Sequence, residues 1–169
     1  MEYLQQAQER LRQQLGPSGA EPRRLAGDSR RSSPPIVYTA TRTIALPPDV
    51  MREQRLIAGF EQGPFVDAYR MVRAQVLQQY RQKGWNVIGV SSASDEEGKT
   101  LTAVNLSLSL AMDLAHTVLL VDADLLRPSV HRAFGMAAVP GLSEHLLDEV
   151  PLAPLLIHPG IGRFVFLPG

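Results

Sequence analysis

Residues 86–100 read Asn-Val-Ile-Gly-Val-Ser-Ser-Ala-Ser-Asp-Glu-Glu-Gly-Lys-Thr, and the fold turns on what this stretch becomes. Asn86 to Ser91 is a short apolar run that reads as a buried strand, and residues 99–115 read as an apolar helix. Between them lie Ala93-Ser94-Asp95-Glu96-Glu97-Gly98, followed by Lys99-Thr100. A loop so placed and ending in Gly-Lys-Thr turns its backbone N–H groups inward at a helix N-terminus, where partial positive charge favours phosphate. Lys99 would then reach the β- and γ-phosphates of a nucleotide, and Thr100 would set its hydroxyl on Mg²⁺. The plain alternative is a solvated lysine in a common tripeptide, and a strand before with a helix after weigh against it.

The loop departs from the full pattern G-x-x-x-x-G-K-[ST], because Ala93 stands where the first glycine would be. Asp95, Glu96 and Glu97 are a greater departure, since carboxylates beside a polyphosphate repel it unless they point outward or pair. One helix later, Thr117 to Asp122 (TVLLVD) reads as a second buried strand, which delivers Asp122 and Asp124 to the same C-terminal sheet edge. Two carboxylates there can hold a hydrated Mg²⁺, and one can take the proton from an attacking hydroxyl. An aspartate at a strand end can also cap the following helix. That competing reading applies more to Asp124, ahead of Leu125 to Gly135, than to Asp122, and the two roles are compatible.

Working outward, strand, helix and strand with a crossover of this length predict a right-handed unit with parallel strands. An upstream helix begins at Gly63-Pro64 and runs to about Gln82, with Phe65, Tyr69, Val72, Val76 and Tyr80 on one stripe and Gly84 after it. Residues 128–135 and 142–148 look helical, and Phe164 to Leu167 looks like a third short strand. The class is α/β, with helices on the faces of the sheet. Ahead of it, residues 1–15 read as an amphipathic helix, with Tyr3, Ala7, Leu11 and Leu15 spaced four apart. Residues 16–60 read as a flexible linker or arm: from Gly16 to Pro35, eleven of twenty residues are Gly, Pro or Ser, too few apolar groups to offset the entropy of ordering. The domain proper is 61–169.

Composition excludes other classes. Seventeen cations balance seventeen acids, which argues against a chain whose main partner is nucleic acid. No cysteine is present, so there is no thiol nucleophile or thiolate metal site, and a reducing compartment is consistent. No segment approaches the roughly 20 apolar residues that span a bilayer. His116, His131, His145 and His158 lack metal-ligand spacing, and Ser91 and Ser92 lack a G-x-S-x-G elbow.

Three segments, SSASDEEGKT (residues 91–100), TVLLVDADLLRPSVHRAFG (117–135) and GLSEHLLDEVPL (141–152), resemble in order and spacing the bacterial tyrosine kinases of capsule and exopolysaccharide synthesis. The similarity is greatest to the stand-alone autokinases encoded with exosortase-linked systems. The resemblance covers roughly residues 63–169. It implies a P-loop NTPase fold of the MinD-like (SIMIBI) group, a parallel sheet with flanking helices preceded by a flexible N-terminal arm. It also implies ATP and Mg²⁺ as cofactors, held along Ser94, Asp95, Glu96, Glu97, Gly98, Lys99, Thr100 and Leu101. Thr100, Asp122 and Asp124 are implied to serve the metal, and Lys99 and Asp122 catalysis, Asp122 as base toward a tyrosine hydroxyl.

The family's loop typically reads Pro-Gly-Glu-Gly-Lys, so Asp95 and Glu96 replace the Pro and the Gly. If that Gly needs a backbone angle that side chains disfavour, Glu96 strains the loop by of order 1 kcal/mol. The family's usual first arginine is Leu126 here, and Arg127 follows. Asp67, Arg70 and Arg73 fall on the family's Glu-x-x-Arg-x-x-Arg motif, implied to join subunits into a homo-oligomeric ring; on spacing alone they are a solvated helix face with local ion pairs.

The resemblance further implies a tyrosine-bearing substrate, the protein itself, and a membrane polysaccharide co-polymerase as partner. The expected location is cytoplasmic, peripheral at the inner face of the cell membrane. The sequence ends at Phe166-Leu167-Pro168-Gly169, ahead of the family's third motif and tyrosine-rich tail, so a kinase domain incomplete at its C-terminus is expected. Two further readings stay open. One is a non-catalytic nucleotide-binding or assembly module, favoured by the acidic loop. The other is a septum-positioning or chromosome-partition ATPase, disfavoured because Ser94 stands where that group carries an extra lysine. A small-molecule P-loop kinase is more distant.

Overall fold

The structure, a computed structural model, describes residues 40–113 and 116–169. The expected helix at 1–15 and the linker up to residue 39 lie outside the described residues. In chain order the elements are β1 (Arg42–Thr43), α1 (Pro48–Glu53), a 3₁₀ turn (Ile57–Gly59), α2 (Pro64–Lys83), α3 (Lys99–Ala111) and β2 (Val118–Val121). Then come α4 (Val130–Ala133), α5 (Leu142–Asp148), α6 (Leu152–Leu155), β3 (Ile157–His158) and β4 (Phe164–Leu167).

The fold is mixed α/β, with a parallel-dominated sheet and flanking helices. The strand order is β1-β3-β4-β2; β1 with β3 and β2 with β4 are parallel, and β3 with β4 is antiparallel. β4 is buried along its whole length, which suits an interior strand. β2, at the sheet edge, alternates half-buried Val118 and Leu120 with exposed Leu119 and Val121.

The helices follow their sequence signals. α2 starts with Pro64 at its first position and closes on Gly84, whose left-handed φ of +70° lets its N–H bond the Tyr80 carbonyl at 2.8 Å. α3 is the central helix, burying Val104, Leu108 and Ala111 against Phe164 and Phe166 of β4, Val130 and Phe134. The Phe134 and Phe166 rings stack at 4.5 Å between centroids, closing the core on the side of α4.

Two expectations are corrected. Residues 40–60 are not the end of an arm: they carry β1, α1 and the 3₁₀ turn, and Leu56 and Ile57 are buried in the core. Fully buried Asn105 of α3 fixes them there, its Oδ1 accepting the Ile57 N–H at 2.7 Å and its Nδ2 donating to the Arg55 carbonyl at 3.0 Å. The apolar side chains were visible in sequence, but Pro47-Pro48 hid a helix that uses proline at its start.

The second correction concerns Asn86 to Ser91, which forms no strand. Trp85, Val87 and Ile88 are exposed by 57%, 83% and 51%, and β2 takes β4, not this segment, as its parallel neighbour. A strand requires a partner for its row of N–H and C=O groups, and none of the described residues supplies one here. The predicted strand–helix–strand unit is therefore present as segment, helix and strand, with the first strand's hydrogen bonds unmade.

Candidate functional site

The loop at residues 92–98 nevertheless leads straight into α3. Gly98 precedes the helix with φ +88°, and Lys99 and Thr100 are its first two residues. The Thr102 N–H bonds the Gly98 carbonyl at 2.9 Å. The N–H groups of Lys99, Thr100 and Leu101 precede the first helical bond and are available to an anion.

The acids of the loop are disposed of one by one. Glu97 folds back, and its Oε2 accepts the N–H groups of Ala93 at 3.0 Å and Ser94 at 3.2 Å. The Ser92 hydroxyl donates to the Ser94 carbonyl at 2.7 Å, tightening the same turn. Asp95 pairs with Arg127 through one oxygen and lies 3.9 Å from the Lys99 ammonium through the other. Glu96 sits at φ +61°, the left-handed region where a side chain costs of order 1 kcal/mol. The strain anticipated for this replacement of glycine has its geometric basis here.

The second half of the site comes from the turn after β2. Asp124, about one third exposed, lies 3.1 Å from Lys99 Nζ. The Lys99 ammonium, and after it the Arg127 backbone N–H, hold the Asp124 carboxyl below its ordinary value of 3.8. Asp122 is disposed differently: it is 5% exposed, and its Oδ2 accepts the N–H groups of Ser129 at 2.8 Å and Val130 at 2.9 Å. Its Oδ1 accepts the Asp124 N–H at 3.2 Å. The carboxylate expected as a base is thus the one that caps the start of α4, while Asp124 faces the lysine.

Ser129 was not singled out from sequence. Its hydroxyl lies 2.8 Å from the Thr100 hydroxyl, joining the two halves of the site; the signal was a serine directly before a short helix. Among the described residues there is no group of three or more His, Asp or Glu side chains able to hold a metal ion alone. What is present suits Mg²⁺ in the manner of phosphoryl-transfer sites, where one carboxylate, one hydroxyl and the substrate's phosphates share the ion with water. Thr100 and Asp124 fit that donor set; Asp122, which is 5% exposed against about one third for Asp124, fits it less well.

Asp67, Arg70 and Arg73 lie on α2. Arg70 pairs with Asp67 at 3.0 Å, and Arg73 donates to the Ser109 carbonyl of α3 at 2.9 Å. Both arginines line a cleft of about 380 Å³ with Phe60, Val66 and Met112.

No protein-family model matches the chain. Over 83 residues, 49% of this chain and 35% of the relative, it is 36% identical to the tyrosine-protein kinase YwqD of Bacillus subtilis. It is 30% identical over 99 residues to the tyrosine-protein kinase etk of Escherichia coli, covering 59% of this chain and 14% of that protein. It is likewise 30% identical over 98 residues to the succinoglycan biosynthesis transport protein ExoP of Rhizobium meliloti, covering 58% and 12%. The chain therefore spans about a third or less of the length of these relatives. Among solved structures, the chimerical protein CapA2B2 superimposes with a TM-score of 0.58 over 75% of this chain and 53% of its own, at 21% identity, a likeness of fold. The class is thus a mixed α/β domain with a lysine-led loop at a helix start. In sequence it is related, over about half its length, to bacterial tyrosine-protein kinases.

Proposed function

We propose that this chain carries the phosphate-binding half of an ATP-dependent protein-tyrosine autokinase that regulates exopolysaccharide or capsule synthesis and export, of the stand-alone exosortase-associated type. The observation that carries the reading is the meeting of Lys99, Thr100 and Asp124 at the start of α3, with Lys99 and Asp124 3.1 Å apart. In a phosphoryl transfer with little covalent work for the protein, catalysis rests on positioning and charge neutralisation. Lys99 and the N–H groups of the first helical turn offset phosphate charge, and Thr100 and Asp124 would hold Mg²⁺, which would supply further neutralisation of the phosphate oxygens. Asp122, through its three backbone hydrogen bonds, holds the loop that aims Asp124; as base toward a tyrosine hydroxyl it has first to become accessible from a position 5% exposed.

The remaining parts of the proposal rest on the resemblance of the three sequence segments to the bacterial tyrosine kinases of polysaccharide synthesis. The fold is of the P-loop MinD-like group, the substrate is a tyrosine of the protein itself, and the partner is a membrane polysaccharide co-polymerase. The location is peripheral at the inner face of the membrane; among the described residues no helix is long and apolar enough to cross one. Asp67, Arg70 and Arg73 join copies into a ring, which predicts a drop in solution mass for Arg70→Ala/Arg73→Ala.

The test is transfer of radiolabelled γ-phosphate from ATP with Mg²⁺, comparing wild type with Lys99→Met. Label on tyrosine that disappears in the variant supports the kinase. ATP binding without transfer supports a second reading, a non-catalytic nucleotide-binding or assembly module, which the engaged Asp122 carboxylate favours.

A further inference from the structure

We infer that Arg127 is a positioning residue of the phosphate site, acting through Asp95 to keep Lys99 available and the acidic loop neutral toward a polyphosphate. The inference rests on the nucleotide-binding reading above and concerns how that site tolerates its own acids.

Four side chains of alternating sign meet where the two loops face each other: Arg127, Asp95, Lys99 and Asp124. Asp95 divides its oxygens, Oδ2 to Arg127 and Oδ1 toward Lys99 at 3.9 Å. Arg127 also donates its backbone N–H to Asp124 Oδ1 at 3.2 Å. One residue thus holds both carboxylates that flank Lys99, Asp95 through its guanidinium and Asp124 through its main chain.

The consequence follows from charge. Glu97 is already turned onto the N–H groups of Ala93 and Ser94, so Asp95 is the loop acid that faces Lys99. With Arg127 in place, Asp95 is compensated and drawn to one side. Without the guanidinium, Lys99 is left as the one side-chain cation for both carboxylates that flank it, and an under-compensated negative charge stands beside the position a phosphate takes. Lysine suits this exchange, being a mobile point charge, whereas the planar arginine fork suits a fixed carboxylate.

The effect is on affinity for polyphosphate, and it has a signature: removing Asp95 cancels the need for Arg127. Both side chains are exposed, 73% and 56%, so substitution leaves the fold intact, which thermal unfolding of each variant checks. Titration of the full chain with Mg·ATP is expected to give about five- to tenfold weaker binding for Arg127→Ala. Arg127→Lys recovers part of the loss. Arg127→Ala/Asp95→Asn returns to within about twofold of wild type, because the charge that needed compensation is gone. Wild-type affinity in Arg127→Ala overturns the inference. So does a loss that Asp95→Asn fails to rescue, the pattern expected if Arg127 grips the phosphate itself. No saturable binding by wild type or any variant removes the nucleotide reading and this inference with it. Binding by wild type without rescue removes this inference alone.

Discussion

The two loops that meet at Lys99 are built in opposite ways. The turn from Asp122 to Val130 is organised around a carboxylate that is 5% exposed and accepts three backbone N–H bonds. The turn from Ser92 to Gly98 is exposed and held by its own acids, Glu97 on two N–H groups and Asp95 on Arg127, with Glu96 in a left-handed conformation. Buried hydrogen bonds to a charged acceptor are costly to break, whereas exposed ion pairs are screened and individually weak. The first loop is therefore a fixed wall, and the second a lip whose charges can be redistributed when an anion enters.

The largest expected effect is on the wall. Asp122→Ala leaves three N–H groups without their acceptor and is expected to cost about 3 kcal/mol of stability, read as a lower denaturant midpoint. Asp124→Ala, two residues away and about one third exposed, should lower that midpoint far less and remove the magnesium-dependent part of nucleotide binding. Equal destabilisation by both would erase the contrast between buried and exposed carboxylate.

On the lip the expected changes are smaller and of opposite sign. Glu96→Gly relieves the positive φ of +61° and should raise the unfolding midpoint, by an amount corresponding to about 1 kcal/mol or less once the added chain entropy is counted. A lowered midpoint would mean that the Glu96 side chain contributes more than its backbone costs.

The smallest effect is a titration. Because Lys99 and the Arg127 N–H lower the Asp124 carboxyl below 3.8, its ion pair contributes fully above that value and is lost as pH falls through the lower folded-state value. The Asp124 side-chain carbonyl resonance should titrate below 3.8 in wild type and move up toward it in Lys99→Met. A titration unmoved by Lys99→Met would show that the pair is not formed in solution.

Much of this arrangement was legible in sequence because it is local. Gly98-Lys99-Thr100 ahead of an apolar helix, the TVLLVD strand and the Phe164–Leu167 strand are each decided by neighbours within a few residues, and each is found in place, although the TVLLVD strand, expected to be buried, lies at the sheet edge with Leu119 and Val121 exposed. What escaped depends on partners far along the chain. Whether Asn86 to Ser91 becomes a strand depends on a neighbouring strand that its own residues cannot specify. Residues 40–60 join the core because Asn105, some fifty positions later, supplies the acceptor and donor that their backbone needs. Asp122 and Asp124 look equivalent in sequence, and only the path of the chain to Ser129 and Val130 separates the cap from the carboxylate beside Lys99.

The central claim is that Lys99, at the start of α3, is the anchor of a nucleotide-phosphate site. Calorimetric titration of the full chain with Mg·ATP, wild type against Lys99→Met, tests it most directly. Saturable binding by wild type is expected, with at least a tenfold loss in Lys99→Met at a nearly unchanged unfolding midpoint, the change that follows when a phosphate-contacting cation is removed. Equal affinity in the two proteins, or no binding by wild type, would contradict it.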